Sequence, residues 1–153
     1  MRIKPLIVLL PLLVGCVIFS SNEEDVQVEL DIHRALWNAA AIHDYSMSFQ
    51  RLCLFCSVEF LIPVRITVRG DTIYEVTDLD TGAPVAEPAP GAFLTIEGVF
   101  DAIQGAIDQR AAEIDVSYNS MFGYPTDVSI DPSRSLFNDD TKFQIREFVE
   151  LMN

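Results

Sequence analysis

Apolar residues change their spacing repeatedly along this chain, and each change restricts the fold. Between residues 26 and 43, Val26, Leu30, His33, Trp37 and Ala40 recur every three or four positions, with Ile32, Leu36 and Ala39 broadening the stripe. That spacing predicts an amphipathic helix anchored by Trp37. From Tyr45 the period drops to two. Tyr45, Met47 and Phe49 alternate with Ser46, Ser48 and Gln50, and Val64, Ile66 and Val68 alternate with Arg65, Thr67 and Arg69. Both runs read as half-buried strands. Gly70-Asp71 suits a tight hairpin turn with glycine first, and residues 72–77 return as a third strand.

The cycle then repeats. Residues 80–91 form a turn and loop whose prolines cannot join a central strand. Thr95 is a good N-cap for a second helix, with Ile96, Val99, Phe100, Ile103, Ile107 and Ala111 on one face and Glu97, Asp101, Gln104 and Asp108 on the other. Ile114, Val116 and Tyr118 alternate with polar residues, and a turn through Met121-Phe122-Gly123-Tyr124-Pro125 leads to a strand with Val128 and Ile130. Residues 137–140 read as a loop, and Phe143, Ile145 and Phe148 mark a last strand. The order α-βββ-α-βββ predicts an α+β domain, two amphipathic helices packed on an antiparallel sheet. An internal duplication is open at the level of elements, without a residue-level repeat.

The folded part is expected to exclude the N-terminus. MRIKPLIVLLPLLVGC begins with Arg2 and Lys4, continues through an apolar core from Leu6 to Leu13, and closes on small residues before Cys16. A basic start, a short apolar region and a small-residue cut make a secretory signal. The cysteine at the cut resembles the lipobox of bacterial lipoproteins, which implies a lipid-modified Cys16 after removal of residues 1–15. The apolar run over residues 5–20 is 16 residues long, short of the roughly 20 needed to span a bilayer. Residues 16–25 then read as a lipidated tether and 26–153 as a single domain. The expected location is the exported face of a cell membrane. Val17 stands where aspartate would signal inner-membrane retention, which favours the outer membrane in a Gram-negative source.

The chain carries a net charge of −13, and removal of the signal, with its two cations and no acids, takes this to −15. Such a balance argues against nucleic acid, which requires a basic footprint, and against electrostatic docking on anionic lipid. The expected attachment to membrane is through lipid on Cys16 alone.

Several features occur together in this order: Trp37 with Asp44-Tyr45; a cysteine pair after the first strand; Pro63-Val64-Arg65-Ile66-Thr67-Val68-Arg69; Thr81-Gly82-Ala83-Pro84-Val85; and Gly123-Tyr124-Pro125-Thr126 with Ile130-Asp131 and Asp139-Asp140. In this the chain resembles a family of short secreted bacterial lipoproteins catalogued as a domain of unknown function, numbered six-one-seven-four. The resemblance covers roughly residues 30–148 and implies a fold and a location, with no activity attached. Asn119 stands where that family tends to have aspartate, and Thr141 where an acid often follows the Asp-Asp pair. Both departures weigh against a required metal site.

Candidate chemistry is sparse. Cys53-Leu54-Phe55-Cys56 is the one reactive-looking motif, but a redox pair usually sits at a helix N-terminus after a strand. Residues 57–63 carry no helical pattern, so a structural disulfide is the preferred reading and thiol–disulfide exchange the alternative. His33 and His43 are ten positions apart on the first helix, about 80° around it and roughly 15 Å along it, too far to share a metal. His33 reads as a core-edge residue and His43 as a cation at the helix C-terminus. Asp78-Leu79-Asp80-Thr81-Gly82 lacks the ligand pattern of a calcium loop and reads as a turn. No metal and no cofactor is expected.

Tyr118, Phe122 and Tyr124 cluster around one hairpin, either as core packing or as an exposed recognition tip. The expected interaction surface is Tyr118, Phe122, Gly123, Tyr124 and Pro125 with a neighbouring Asp139-Asp140 loop. The functional expectation is a non-enzymatic, lipid-anchored envelope module that binds a protein or small ligand. The alternatives are a redox protein using Cys53 and Cys56, or a purely structural envelope component.

Overall fold

The central strand of the protein is β1 (Tyr45–Cys53), which pairs on one side with β2 (Val64–Arg69) and on the other with β6 (Thr141–Glu150). Outward from these lie β3 (Thr72–Asp78), beside β2, and β5 (Pro125–Asp131) followed by β4 (Glu113–Tyr118), giving an antiparallel sheet in the order β3-β2-β1-β6-β5-β4. The computed structural model describes residues 21–53, 56–136 and 139–152. The signal segment, Cys16, Leu54-Phe55 and Phe137-Asn138 lie outside the described residues.

Two long helices, α1 (Ser21–Ala40) and α3 (Ile96–Asp108), cover one face of this sheet, and a four-residue helix α2 (Val58–Leu61) follows β1. Alternation decides which face is covered. Tyr45, Met47, Phe49, Val64, Ile66, Val68, Phe143 and Ile145 are buried with Leu30 and Trp37 of α1 and Ile96, Val99, Phe100 and Ile103 of α3 in one core. Each fully buried side chain of this size contributes about 1.5–3 kcal/mol. Arg65, Thr67, Arg69, Lys142, Gln144 and Arg146 alternate with these core positions and leave the other sheet face polar. The expected α+β architecture is therefore present, in the expected element order.

Specific polar contacts hold the helices to the sheet. The Thr95 hydroxyl accepts from Gly98 N at 3.1 Å and caps α3. The Tyr45 hydroxyl accepts from Ile96 N at 2.9 Å, satisfying a first-turn donor of the same helix from the sheet beneath it. Trp37 Nε1 donates to Glu97 Oε1 at 2.7 Å and ties α1 to α3. At its far end α3 closes through Arg110 in the left-handed region (φ 56), with Arg110 N bonding Ile107 O and Ala111 N bonding Ala106 O. Ala111, expected on the helix face, is thus past its end, and Ala106 is the buried residue of the last turn.

Other boundaries differ in instructive ways. α1 begins at Ser21, so residues 21–25, expected as tether, are helical, which suits three consecutive acids at the positive end of a helix dipole. Residues 58–61 form a single turn where no helical pattern is visible. Gly70 and Asp71 both have positive φ, 53° and 63°, which makes the β2–β3 turn a type I′ hairpin turn. In β6 the apolar residues fall at 143, 145 and 148, which breaks a period of two. The register explains it: Ser46 pairs with Val149 and Ser48 with Arg146, so Glu147 and Phe148 together oppose Met47. Glu147, at φ 48, is the extra residue of a β-bulge.

The two α-βββ halves share an element order and nothing more. Both meanders advance in the same sense across the sheet, since the order from the other edge reads β4-β5-β6-β1-β2-β3. With every neighbour antiparallel, β1 and β4 run in opposite directions. With both helices on one face, the halves have opposite hands and no rotation superposes them.

Candidate functional site

The hairpin expected as a recognition tip turns Gly123, Tyr124 and Pro125 inward. Tyr124 is 7% exposed and Gly123 and Pro125 are buried. Tyr124 stacks on Phe148 at 4.6 Å between centroids, and Trp37, Tyr45 and Phe122 complete an aromatic cluster around Phe148. Tyr118 stacks on His33 at 4.0 Å. Burial raises the pKa of the Tyr118 phenol to about 12, with Glu29 adding to the effect. Gly123 explains why the turn fits: a Cβ there would lie 2.4 Å from His33 O and 2.8 Å from the Leu36 Cβ, and its φ is +80°. These residues fasten the β4–β5 turn to α1. The core-packing reading of the aromatic cluster is the one observed.

Asp139 and Asp140 do not neighbour this turn. Pro125 begins β5, whereas Ile130 at its other end pairs with Thr141 at the start of β6. The acids are thus separated from the turn by the length of the strand, roughly 20 Å at about 3.3 Å per residue. They lie instead at the end of the sheet that holds Cys53, which pairs with Thr141. Cys53 and Cys56 are joined by a disulfide with Cα atoms 5.5 Å apart.

At this same end β1 carries a feature that sequence reasoning missed. Arg51 continues the inward phase of Tyr45, Met47 and Phe49, so a cation occupies a core-facing position. Its guanidinium lies over Phe143 at 5.1 Å and Phe60 at 5.9 Å, and Nη2 donates to Gly91 O at 2.9 Å. Its Nε is buried without a partner, and desolvation lowers its pKa. Arg51 borders a cleft of about 400 Å³ whose other walls include Ala102, Ala106, Ile130, Thr141 and Phe143. The sequence signal was available: a charged residue in phase with three apolar ones.

The histidines are separate, as expected. His33 Nδ1 is buried and unpartnered in its stack on Tyr118. His43 lies beyond the end of α1, and its Nδ1 sits 2.9 Å from Asp71, whose hydrogen bond and charge raise the histidine pKa above 6.5. Its partner is therefore a carboxylate of the β2–β3 turn. Asp78 Oδ1 accepts from Asp80 N, Thr81 N and the Thr81 hydroxyl, bonds that lower its pKa. That carboxylate builds its own turn. Among the described residues, no three His, Cys, Asp or Glu side chains are grouped to hold a metal.

One exposed surface stands out. Val28, Ile32 and Leu36 of α1 are 51%, 54% and 44% exposed, one above another at four-residue spacing, and Met121 in the turn against Leu36 is 74% exposed. Ile32 and Leu36 were expected to broaden the buried stripe; they form a second stripe on the opposite side. A helix packed on one sheet cannot bury both. Glu24, Asp25, Glu29 and Asp31 are exposed along the same half of the helix.

A model for a family of unknown function (DUF6174) matches residues 29–150. The chain belongs to that family. No curated protein and no solved structure matches it. In this DUF6174 domain, the motifs behind the resemblance serve structural ends. Trp37 and Tyr45 clamp α3; Asp44 Oδ1 accepts from Gly70 N at 2.8 Å; and Pro84-Val85 straps the β3 edge through Val85 N to Val76 O at 2.9 Å. Asn119 Oδ1 accepts from Met121 N and Phe122 N. An aspartate could accept the same two bonds, so this turn is open to either residue.

Proposed function

We propose that this protein is a lipid-anchored, non-enzymatic interaction module of the cell envelope. In this reading Cys16 is acylated, and the outer stripe of α1 docks on a partner protein. The observation that carries it is the aliphatic row Val28, Ile32 and Leu36, left uncovered on a helix whose opposite side already supplies the core. Contiguous exposed apolar surface marks interaction sites. The exposed acids Glu24, Asp25, Glu29 and Asp31 around it favour an apolar groove rimmed by Lys or Arg. The site matches helix-in-groove recognition, read as anchors one turn apart. The membrane itself is a poor alternative occupant, because these acids are repelled by anionic headgroups.

Placement follows from the same helix. α1 begins five residues after Cys16, so a lipid there would hold the acidic end of the stripe close to the bilayer. In a Gram-negative source, Val17 favours the outer membrane. Two measurements test the proposal. Labelling with radioactive palmitate should mark the full chain and leave Cys16→Ser unlabelled and released from the membrane fraction; equal labelling of both would remove the anchor. Binding to the partner should weaken at least tenfold in Ile32→Ser and fall as salt rises. Salt-independent binding would contradict the basic rim.

A further inference from the structure

Arg51 is the cation least accounted for by the fold. The surface arginines Arg34, Arg65 and Arg146 each pair with a carboxylate, whereas among the described side chains Arg51 makes no ion pair and bonds only a carbonyl, Gly91 O. Desolvation lowers its pKa, and its Nε–H is buried without an acceptor among the described residues. A half-buried cation without a counter-charge is costly, and so is an unmet buried donor. Among the described residues, no carboxylate lies within ion-pair distance of this half-buried guanidinium.

The space beside it has the matching shape. α3 presents Ala102 and Ala106 where larger residues would fill the layer, and Ile130 and Phe143 form apolar walls below. The cleft of about 400 Å³ falls in the range of small-molecule sites, about 300–1,000 Å³, which combine apolar walls with a few polar groups. A planar guanidinium matches a carboxylate better than a point charge does.

We infer that this cleft binds a small monoanion with an apolar body, a medium-chain carboxylate, with its head on Arg51 and its chain against Ala102, Ala106 and Phe143. This site is at the opposite end of β1 from the Tyr45–Phe148 cluster and does not depend on the α1 stripe. The test uses the full chain in phosphatidylcholine nanodiscs, titrated calorimetrically with octanoate, octanol and inorganic phosphate. Saturable binding of one octanoate per chain is expected, with octanol and phosphate each at least tenfold weaker.

Arg51→Gln should weaken octanoate about tenfold or more. Ala106→Leu, which fills the cleft and keeps the charge, should remove binding while leaving the circular dichroism spectrum unchanged. Should Arg51→Gln fail to fold, Ala106→Leu and Arg51→Lys decide the question. Octanoate binding unaltered in Ala106→Leu would overturn the inference, as would octanol binding as tightly as octanoate or the absence of any saturable signal.

Discussion

α1 and α3 lie side by side on the same sheet, linked by Gln27 to Gln104 and Arg34 to Asp101, yet their apolar residues are used differently. α3 is one-sided: Ile96, Val99, Phe100, Ile103 and Ala106 are buried, while Asp101 and Asp108 face water. α1 is two-sided: Leu30 and Trp37 are in the core, and Val28, Ile32 and Leu36 are outside. Folding accounts for every large apolar residue of α3. On α1 it accounts for Leu30 and Trp37 but not for Val28, Ile32 and Leu36, and those three are what a partner can use.

The largest test of this contrast is on the inner faces. Trp37→Ala and Phe100→Ala should each cost about 3–5 kcal/mol in denaturant unfolding, because both side chains are almost fully buried, at 3% and 1% exposure. A loss under about 1 kcal/mol at Trp37 would mean that α1 is not anchored as described. Next comes Gly123→Ala, which places a methyl against His33 O and imposes a positive φ on alanine. It should cost about 1–3 kcal/mol, and wild-type stability would show that the turn does not press on α1.

On the outer face the expected effect nearly vanishes. Ile32→Ser and Leu36→Ser should change unfolding free energy by no more than about 0.5 kcal/mol. A loss of 2 kcal/mol or more, on the order of a core truncation, would place these residues in the core and end the proposed docking face.

The smallest effect concerns the exit of α1, where Asp71 raises the His43 pKa above 6.5. A raised folded-state value stabilises the protein below the ordinary histidine pKa, and that contribution is lost as pH rises through the folded value. An NMR titration should place the His43 midpoint above 6.5 in the wild type and return it toward 6.5 in Asp71→Asn. A wild-type midpoint at or below 6.5 would remove the pair from the account.

Much of this architecture is legible in the sequence, because burial on one side of a sheet imposes clean periods. Val64-Arg65-Ile66-Thr67-Val68-Arg69 and the Thr95-capped helix were readable for that reason. What was not legible depends on a third dimension. The Phe143-Ile145-Phe148 spacing signals a bulge only once the register with β1 is known. Ile32 and Leu36 share a helix with Leu30 and Trp37, and hydrophobicity alone does not say which stripe meets the sheet. The Gly123-Tyr124-Pro125 turn reads as exposed by composition, but contact with α1 buries it. Asp139-Asp140 and that turn flank the same strand, β5, and so lie at opposite ends of it.

The central claim is that the outer stripe of α1 meets a protein. The direct test places a photo-crosslinking residue at positions 28, 32 and 36 of the full-length chain in its own cells, with position 74 as control. Tyr74 is also apolar and 76% exposed, on the edge strand β3. The account predicts one common partner from all three α1 positions and none from position 74, with the partner's contact surface rich in Lys and Arg. No adduct, identical adducts from position 74, or only self-crosslinked dimers would contradict it.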